Sequence, residues 1–511
     1  MSFQSYQIGV LGTGFAGTIT GLILNHLGYD VVLVDRCQHP RFAIGESSTP
    51  IADRILSDLC DRYDLEDIRP LTRYGTATTH QNEYYVGPKR GFTYFSHTDS
   101  DSATPLATPE TPARDVQHQD HQLLVAASQS RESSDTHWHR ASVDHFLVRR
   151  AKERGIVTLE NVEQLSIERD HQDRWELRGR QNGQDLKLTC NFVVDATGRA
   201  SPLAKFLELD DEVAQLQTAS GAVYGHFQGL KPTRQWFQGT STFQQHPFPC
   251  DEAAVHQVTS QGWMWQLRFD HQVTSCGWGL PLNQVPTSSQ DLDDWWSKRL
   301  RQFPLLEKQF SQAEIVAPRG GLQRVHRLQY LRPVAAGHRW AMLPSSIGFI
   351  DPLHSSGIAH AMASIEQLTH FFPGGGRMPN RDQLSYYSER LKSEFRWIDR
   401  LIAACYGCLH DFRLFQIACM AYFVCVIHYE RSRVPSEPDQ SSFLSADDPD
   451  LFIRIHDYLD QLRALKNRSL HPDEILDLHS QFREAMAGYN HADLLSPTAH
   501  PFYHHTTAPG K

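Results

Sequence analysis

The chain has 511 residues, which is enough for two or three domains with a large core. Its apolar content of 40% and its formal net charge of -10 are typical of a mildly acidic globular protein. Because the sequence contains no strongly basic block, it argues against a nucleic-acid or anionic-membrane partner.

The first 35 residues carry the pattern of a dinucleotide-binding unit. A short apolar strand at 8–11 is followed by GTGFAG, by a helix that Gly28 ends, and by a second strand, Val31–Val34. Glycines in such a turn let the backbone approach a pyrophosphate at the helix N-terminus, and an acid after the second strand bonds a ribose hydroxyl. The predicted contacts are Gly12, Gly14, Ala16, Gly17, Asp35 and Arg36. The unit does not distinguish NAD from FAD.

Cysteine usage and apolar segments predict an intracellular protein. Among nine cysteines, Cys405 and Cys408 form a CxxC in an apolar, helix-like run, which favours buried small hydrophobes over a metal or redox site. The odd number and the spacing are typical of a reducing cytoplasm, and a strand so close to residue 1 leaves no room for a signal peptide. The apolar run 414–429 is too short for a membrane span, so we predict a buried helix, with a membrane-dipping helix as the alternative.

Three later segments carry the resemblance to a known family. They are PRFAIGESSTP after the acid, FVVDATGR in mid-chain, and RWAMLPSSIGFIDPLHSSG further on. Together they resemble the flavoprotein monooxygenase superfamily, and the first and last look most like the flavin-dependent halogenases. The resemblance covers roughly residues 6 to 400. It implies that FAD is bound by residues from separated segments, here Arg41, Glu46, Ser47, Asp195, Gly198, Ser345, Gly348, Asp351 and Ile358.

The stretch DPLHSSGIAH, residues 351–360, predicts an anion site. Ile358, Met362 and Ile365 recur at helical spacing, which predicts a helix preceded by a tight loop. The first backbone N–H groups of a helix have no partner within the helix and attract anions. The resemblance implies chloride or bromide held by Ser356 and Gly357. Alternatively, the same N-terminus holds only the polar edge of the flavin.

The resemblance also assigns two catalytic residues. GPKRGFTYF places Lys89 where the family has a lysine that positions or captures hypohalous acid; the alternative is a surface lysine. His354 stands where tryptophan-type relatives have a glutamate. With an ordinary pKa near 6.5 it would accept a proton only when neutral, which predicts a rate that rises with pH around neutrality. A purely structural histidine is the alternative.

The run GWMWQLRF resembles the family's GWxWxIP signature. Trp263 and Trp265 would lie on one face of a strand and line the passage between flavin and substrate, while Leu267 and Arg268 replace isoleucine and proline. Two tryptophans on one strand face are also common in an ordinary core.

We therefore predict an α/β fold with a Rossmann-like FAD-binding domain of the flavoprotein monooxygenase type. Residues 1–97, 140–202 and 320–390 would form this discontinuous domain, 203–319 a sheet-rich substrate domain, and 391–495 a helical region. Residues 98–121 and 496–511 are expected to be flexible.

The predicted function is halogenation of an electron-rich aromatic with reduced FAD, O2 and chloride or bromide. The substrate would be phenol-, pyrrole- or indole-like, free or carrier-tethered, with a phenol preferred. Since no second GxGxxG follows a strand, reduced FAD would come from a separate NAD(P)H–flavin reductase. Pro344 and Ser345 replace the family's GD pair, which predicts weaker FAD binding. The alternatives are a non-halogenating FAD-dependent monooxygenase or reductase, and a flavin-binding redox sensor.

Overall fold

The structure, a computed structural model, describes residues 3–97, 121–237, 246–435, 437, 441–465, 468 and 470–506. Most of the segment predicted to be flexible at 98–121, and the end of the predicted flexible tail, 507–511, lie outside the described residues.

The strands are β1 (Phe3–Leu11), β2 (Val31–Val34), β3 (Val86–Lys89), β4 (Gly91–His97), β5 (Gln122–Ala126), β6 (Asp135–Trp138), β7 (Val157–Leu159), β8 (Val162–Arg169), β9 (Trp175–Gln181), β10 (Gln184–Asp195), β11 (Ser220–Gln228), β12 (Ala254–Thr259), β13 (Gly262–Arg268), β14 (Val273–Pro281), β15 (Glu314–Ala317), β16 (Gln323–Val325), β17 (Tyr330–Leu331), β18 (Ala336–Gly337), β19 (Trp340–Met342), β20 (Gly348–Phe349) and β21 (Phe502–Tyr503).

The α-helices are α1 (Phe15–His26), α2 (Pro50–Tyr63), α3 (Tyr74–Ala77), α4 (Arg140–Glu153), α5 (Pro202–Phe206), α6 (Leu292–Leu300), α7 (Pro304–Phe310), α8 (Pro344–Ile347), α9 (Ser356–His370), α10 (Arg381–Gly407), α11 (Phe412–Ser432), α12 (Pro449–Ala464) and α13 (Pro472–Ala485). Short 3-10 helices span Arg69–Thr72, Thr78–His80, Gly198–Ala200, Val213–Gln215, Thr233–Phe237, Cys250–Glu252, Leu282–Gln284 and Phe443–Ser445.

The first sheet is the nucleotide-binding layer. Its strand order is β18-β19-β10-β1-β2-β7, in which the strands from β19 to β7 are parallel to one another and β18 is antiparallel to β19. The central strands are apolar and buried on both faces where they pair, at 8–11 in β1, throughout β2 and at 192–194 in β10, as a parallel sheet covered by helices requires. Leu11 pairs with both Val34 and Asp195, so the glycine turn and the loops after β2 and β10 meet at the carboxyl edge of the sheet. This arrangement confirms the predicted Rossmann-like α/β fold.

The second sheet is mainly antiparallel and lies beside the first. Its order is β15-β11-β14-β13-β12-β4-β5-β21, and β16 also pairs with β11. The strand-like runs predicted between residues 203 and 319 all belong to it. It also takes in β4 and β5, although β4 falls within the segment 1–97 that the sequence assigned to the FAD domain. A parallel pairing of β12 with β4 joins the two parts of the chain.

The helical region is built around α10 and α11. Helix α11 contains the apolar run 414–429, and its length and hydropathy would suit a membrane span. However, 83% of its apolar window is buried inside the protein, so the prediction of a buried core helix is confirmed. Cys405 and Cys408 are also buried, at 0% and 2% exposure, as the sequence predicted.

Candidate flavin and halide site

A cavity of about 460 Å³ opens at the carboxyl edge of the first sheet. Its lining comes from the glycine turn, the loop 41–47, the loop 196–199, the segment 343–358 and the strand β13. Segments that are far apart in the chain thus meet around one space, as the sequence predicted for an FAD site.

Two of the three glycines in the turn, Gly12 and Gly17, leave no room for a larger residue. A Cβ at Gly17 would lie 2.0 Å from the Gly12 carbonyl oxygen, and Gly12 has a φ of +89°. At Gly14 the nearest atoms to a built Cβ are guanidinium nitrogens of Arg140 and Arg41, at 3.4 and 3.6 Å. Gly14 therefore faces two guanidinium groups and the Asp144 carboxylate, which pairs with Arg140, across the space where a pyrophosphate would lie, whereas Gly12 shapes the turn.

Arg140 is a lining residue that the sequence reasoning missed. Its guanidinium donates to both carboxylate oxygens of Asp144, at 2.8 and 2.9 Å, and to the Ile44 and Gly45 carbonyls at 3.0 Å. Asp144 in turn accepts from the backbone N–H of Phe15 at the start of α1. The spacing of four residues between Arg140 and Asp144 was the available signal, but it is common on helices.

Asp35 is bound by its own neighbours. Its carboxylate accepts from the Thr13 backbone N–H at 2.7 Å, the Thr13 hydroxyl at 2.8 Å and the Cys37 N–H at 2.9 Å. Burial favours the protonated form, but these bonds and the charge of Arg41 hold the pKa of Asp35 below its usual value. Asp35 is not among the described residues that line the cavity, and Arg36 is exposed. Their direct contact with FAD remains a prediction.

Asp195 also differs from its expected place. Its carboxylate accepts from the hydroxyls of Thr197, Ser201 and Ser346, at 2.6, 2.6 and 3.0 Å, and it is fully buried behind the cavity. It therefore fixes the loop that presents Gly198. Gly198 itself lines the cavity, as do Ser345 and Gly348.

Two observations indicate that the cavity suits a large polar cofactor. The buried hydroxyl of Ser47 has no hydrogen-bond partner within the described part of the chain. A Cβ built on Gly357 would meet nothing within 4 Å. Glu46 also lines the cavity, with its carboxylate 2.7 Å from His226 Nε2. The residues present thus fit FAD, which would supply the oxidising chemistry.

The loop before α9 presents an uncapped helix N-terminus to the cavity. Ser355, the N-cap residue, has a φ of +53°, and its side chain makes no capping bond. Ser356, Gly357 and Ile358 follow it and line the cavity. Backbone N–H groups without a cap are suited to an anion, as the sequence predicted.

Asp351 lies where three regions of the chain meet. Its carboxylate accepts from the Ser220 hydroxyl of β11 at 2.5 Å and from the Tyr406 hydroxyl of α10 at 2.9 Å. Trp263 of β13 donates from Nε1 to the Tyr406 oxygen at 3.0 Å. Burial raises the pKa of Asp351 to about 6.

Trp263 and Trp265 lie side by side and line the cavity, with ring centroids 5.8 Å apart. The neighbouring strand β14 makes room for them with Gly279 opposite Trp263 and Gly277 opposite Trp265. A Cβ at either glycine would lie within 2.6 Å of the indole ring that it faces. The tryptophans are therefore more than ordinary core residues, since they border the open space.

Behind Trp263 the rings pack in succession, and we call Phe92, Tyr94, His256, His354, Tyr422 and Phe423 the aromatic cluster. His256 stacks on Trp263 at 5.2 Å and on Tyr94 at 4.6 Å. The Tyr94 hydroxyl is 3.3 Å from His354 Nδ1. The cluster thus continues from the cavity towards α11.

Lys89 is buried against the aromatic cluster. Its side chain is 0% exposed, with Nζ 4.1 Å from the centre of the Phe92 ring and donating to the Ser48 carbonyl at 2.5 Å. The alternative of a surface lysine is therefore wrong. Lys89 does not appear among the described lining residues of the cavity, and the cluster separates it from them.

The prediction that His354 ionises near neutral pH is wrong. The loop turns its side chain away from the cavity, where it stacks on Tyr422 at 4.3 Å and lies 3.6 Å from Cys405 Sγ. Burial, together with the nearby His256, holds the pKa of His354 well below its usual value. His354 is therefore neutral at physiological pH.

A Rossmann-like layer, a cavity lined by the glycine turn and an uncapped helix N-terminus together define an FAD-dependent oxidoreductase. The sequence profile of the tryptophan halogenase family matches residues 93–410, which is more than half of the chain. The chain belongs to this family, and its relatives are flavin-dependent halogenases.

Two relatives illustrate the similarity. The tetracycline 7-halogenase of Kitasatospora aureofaciens is 25% identical over 409 residues, covering 78% of this chain and 69% of that protein. The monodechloroaminopyrrolnitrin halogenase PrnC of Pseudomonas fluorescens is 25% identical over 431 residues, covering 80% and 69%.

Solved structures share the fold. Halogenase PltM in complex with phloroglucinol and FAD superposes with a TM-score of 0.82 at 22% identity, covering 98% of this chain and all of that one. The flavin-dependent halogenase CmlS gives a TM-score of 0.59 at 18% identity, covering 96% and 78%.

Proposed function

We propose that this protein halogenates a small phenol-like aromatic, using hypohalous acid made in the cavity and delivered to Lys89 through the aromatic cluster. The observation that carries the proposal is the position of Lys89, whose fully buried ammonium lies against Phe92 at one end of a run of ring contacts that begins with Trp263 at the cavity.

The cavity would hold the cofactor and the halide. Gly14, Ala16 and Gly17, with the guanidinium groups of Arg41 and Arg140, suit the pyrophosphate. The backbone N–H groups of Ser356 and Gly357 suit chloride or bromide. When bound in reduced form, FAD with O2 and halide supplies hypohalous acid.

Lys89 would receive the oxidant on the far side of the passage. Its ammonium has three donors and lies against an aromatic ring in a site from which water is excluded. A hydrogen bond from the ammonium would fix the small acid beside the substrate, so that transfer of the halogen occurs in one orientation.

A phenol fits the aromatic cluster better than a substrate that needs a general base. His354 is neutral but closely packed, and the cluster has no carboxylate among its members. A phenol supplies its own acidic hydroxyl, and the Tyr94 hydroxyl could bind it. PltM, which shares the fold, has been crystallised with phloroglucinol.

We further propose a separate NAD(P)H–flavin reductase as the source of reduced FAD, because the sequence has one GxGxxG unit. The division into an FAD-binding domain, a sheet-rich substrate domain and a helical region is likewise proposed, with β4 and β5 assigned to the substrate domain.

Lys89→Met tests the proposal. The methionine has a similar volume and no charge, so FAD binding and oxygen consumption should persist while halogenated product falls at least about a hundredfold, as expected for a group acting in the chemical step. The assay combines purified protein, FAD, a flavin reductase, NADH, bromide and a panel of phenols, pyrroles and indoles, read by mass spectrometry.

Arg90→Met is the matched control, because Arg90 is adjacent in sequence but packs on Phe248 and pairs with Glu252. It should halogenate normally. Full halogenation by Lys89→Met would refute the role of Lys89, and a bromide-independent hydroxylated product from the parent protein would identify a monooxygenase instead.

A further inference from the structure

Two buried thiols lie at the inner end of the aromatic cluster. Cys405 of α10 and Cys419 of α11 are both 0% exposed. Their sulfur atoms and a ring nitrogen of His354 all lie within 4.8 Å of one another. Cys405 Sγ is 3.6 Å from His354 Nε2, and the Tyr94 hydroxyl is 3.3 Å from Nδ1 of the same ring.

Although they are buried from solvent, the thiols lie where the oxidant would arrive if it entered the aromatic cluster. The function proposed above sends hypohalous acid into the aromatic cluster, where the substrate is meant to consume it. If the substrate is absent, the acid meets two sulfur atoms beside His354. Sulfur is the most readily oxidised element in a protein side chain, and a neighbouring second thiol directs the oxidation to a disulfide.

We propose that Cys405 and Cys419 act as an oxidant trap, which reduces hypohalous acid that finds no substrate and becomes a disulfide. The inference rests on the proposed function, since the enzyme itself must supply the oxidant.

The reaction balances in two steps. The sulfur of one thiol attacks the halogen, so that an S–X bond forms, the X–O bond breaks, and the departing hydroxide takes the thiol proton to give water. The second sulfur then attacks the first, so that an S–S bond forms and halide leaves. Two sulfur atoms lose two electrons, which the halogen gains.

His354 is placed to take the proton of the second thiol. Its ring is neutral and Nε2 faces Cys405 Sγ, so it can accept the proton and pass it to water later. The disulfide would link α10 to α11 beside the ring that His354 stacks on, Tyr422, and would narrow the substrate end of the cluster.

Turnover without substrate tests the proposal. The protein is given photoreduced FAD, O2, catalase and bromide, which removes any need for a reductase, then treated with an alkylating reagent, digested and analysed by mass spectrometry. We expect a cross-linked peptide pair containing Cys405 and Cys419, lighter by about 2 Da than the two thiol peptides together. Activity should fall in parallel and return with dithiothreitol.

Two cysteine-to-alanine variants serve as controls for the cross-link between Cys405 and Cys419. Cys425→Ala alters another fully buried cysteine of α11 outside the cluster and should leave the cross-link unchanged. Cys419→Ala should prevent it and leave Cys405 as a sulfinic acid that dithiothreitol does not restore. Because that variant could misfold, the peptide analysis of the parent protein decides the question.

Three results would overturn the inference. In the first, the phenol panel gives halogenated product, but both thiols are still fully alkylated after turnover without substrate. This result would refute the oxidant trap and leave the proposed function intact. Equal cross-linking without bromide would show oxidation by O2 rather than by hypohalous acid. If the experiment yields no halogenated product and no cross-linked peptide, both proposals are refuted.

Discussion

At the scale of single residues, Asp351 shows how burial sets chemistry. The motif identified it as a cofactor contact, and it does line the cavity. Its carboxylate also accepts from the hydroxyls of Ser220 and Tyr406, and the groups that bond it in the described part of the chain include no cationic side chain. The carboxylate is therefore costly to ionise.

Asp351→Asn should stabilise the protein at high pH. The folded pKa of about 6 lies above the usual 3.8, so the native state binds an extra proton between these values. Stability then falls as pH rises from about 4 to about 6, and a cost of roughly 2–3 kcal/mol remains above that. Thermal unfolding at pH 8 should show a higher Tm for the variant, with little change at pH 4.

The control is Asp293→Asn, because the Asp293 side chain is exposed. This substitution should leave the Tm unchanged at both pH 4 and pH 8. An equal shift of Tm at both pH values in Asp351→Asn would show that hydrogen bonding, rather than ionisation, limits stability at this position.

Gly357→Ala should weaken halide use without unfolding the chain. The added methyl group has open space around it but projects beside the uncapped end of α9, where the anion is proposed to bind. We expect the KM for bromide to rise about tenfold, equivalent to about 1.4 kcal/mol, with FAD still bound. Gly407→Ala, also in open space at the end of a helix, is the control. An unchanged KM for bromide would show that the halide does not bind at this helix N-terminus.

At the scale of elements, the strand pair β13 and β14 forms one unit. The tryptophans of β13 were recognised from their motif, but their positions depend on Gly277 and Gly279 opposite them. Glycine in a strand marks a close approach, and here the close group is an indole ring.

Gly279→Ala should displace Trp263. The new Cβ would lie 2.6 Å from Nε1, so the ring must move and lose its bond to Tyr406. We expect a loss of about 1–3 kcal/mol in the free energy of unfolding, measured with denaturant, and slower halogenation. Trp263→Phe in the same chain should recover part of the stability, because the smaller ring fits. Additive effects of the two changes would show that the contact is absent.

The sequence predicts features that depend on neighbouring residues better than contacts between distant parts of the chain. The glycine turn, the helix after it and strand β2 depend on nearby residues. β2 has the predicted bounds and α1 ends just before Gly28, whereas β1 begins at Phe3 rather than at residue 8. Arg140, His256 and Tyr406 reach the site from separate elements, so no local pattern marks them. The burial that neutralises His354 likewise arises from contacts with α11, far along the chain.

At the scale of the whole molecule, one cofactor site joins segments that are far apart in the chain. Parallel strands bring the glycine turn, the loop 196–199 and the segment 343–358 to one edge. Binding of FAD should therefore stabilise the fold as a whole rather than one lobe.

Gly14→Val should fold but lose this stabilisation. Its Cβ would approach only the ends of the Arg140, Arg41 and Asp144 side chains, at 3.4 to 3.6 Å, whereas the pyrophosphate would meet the added side chain. At FAD concentrations a hundred times the parent's Kd, the parent should gain about 2.7 kcal/mol and the variant almost nothing, measured by thermal unfolding. Gly17→Val should fail to fold because its Cβ overlaps backbone. Equal FAD stabilisation of parent and Gly14→Val would refute the assignment of the turn.

The bond from Trp263 to Tyr406, and from Tyr406 to Asp351, has an evolutionary consequence. Tyr406 sits near the end of α10, outside the motifs that the sequence offered for the flavin and halide sites, yet its hydroxyl joins Trp263 at the cavity to the Asp351 carboxylate. Substitutions there would change how Trp263 is held at the cavity while the flavin and halide motifs stay intact. Related enzymes could therefore diverge in the shape of this cavity wall through changes in α10 that leave those motifs unaltered.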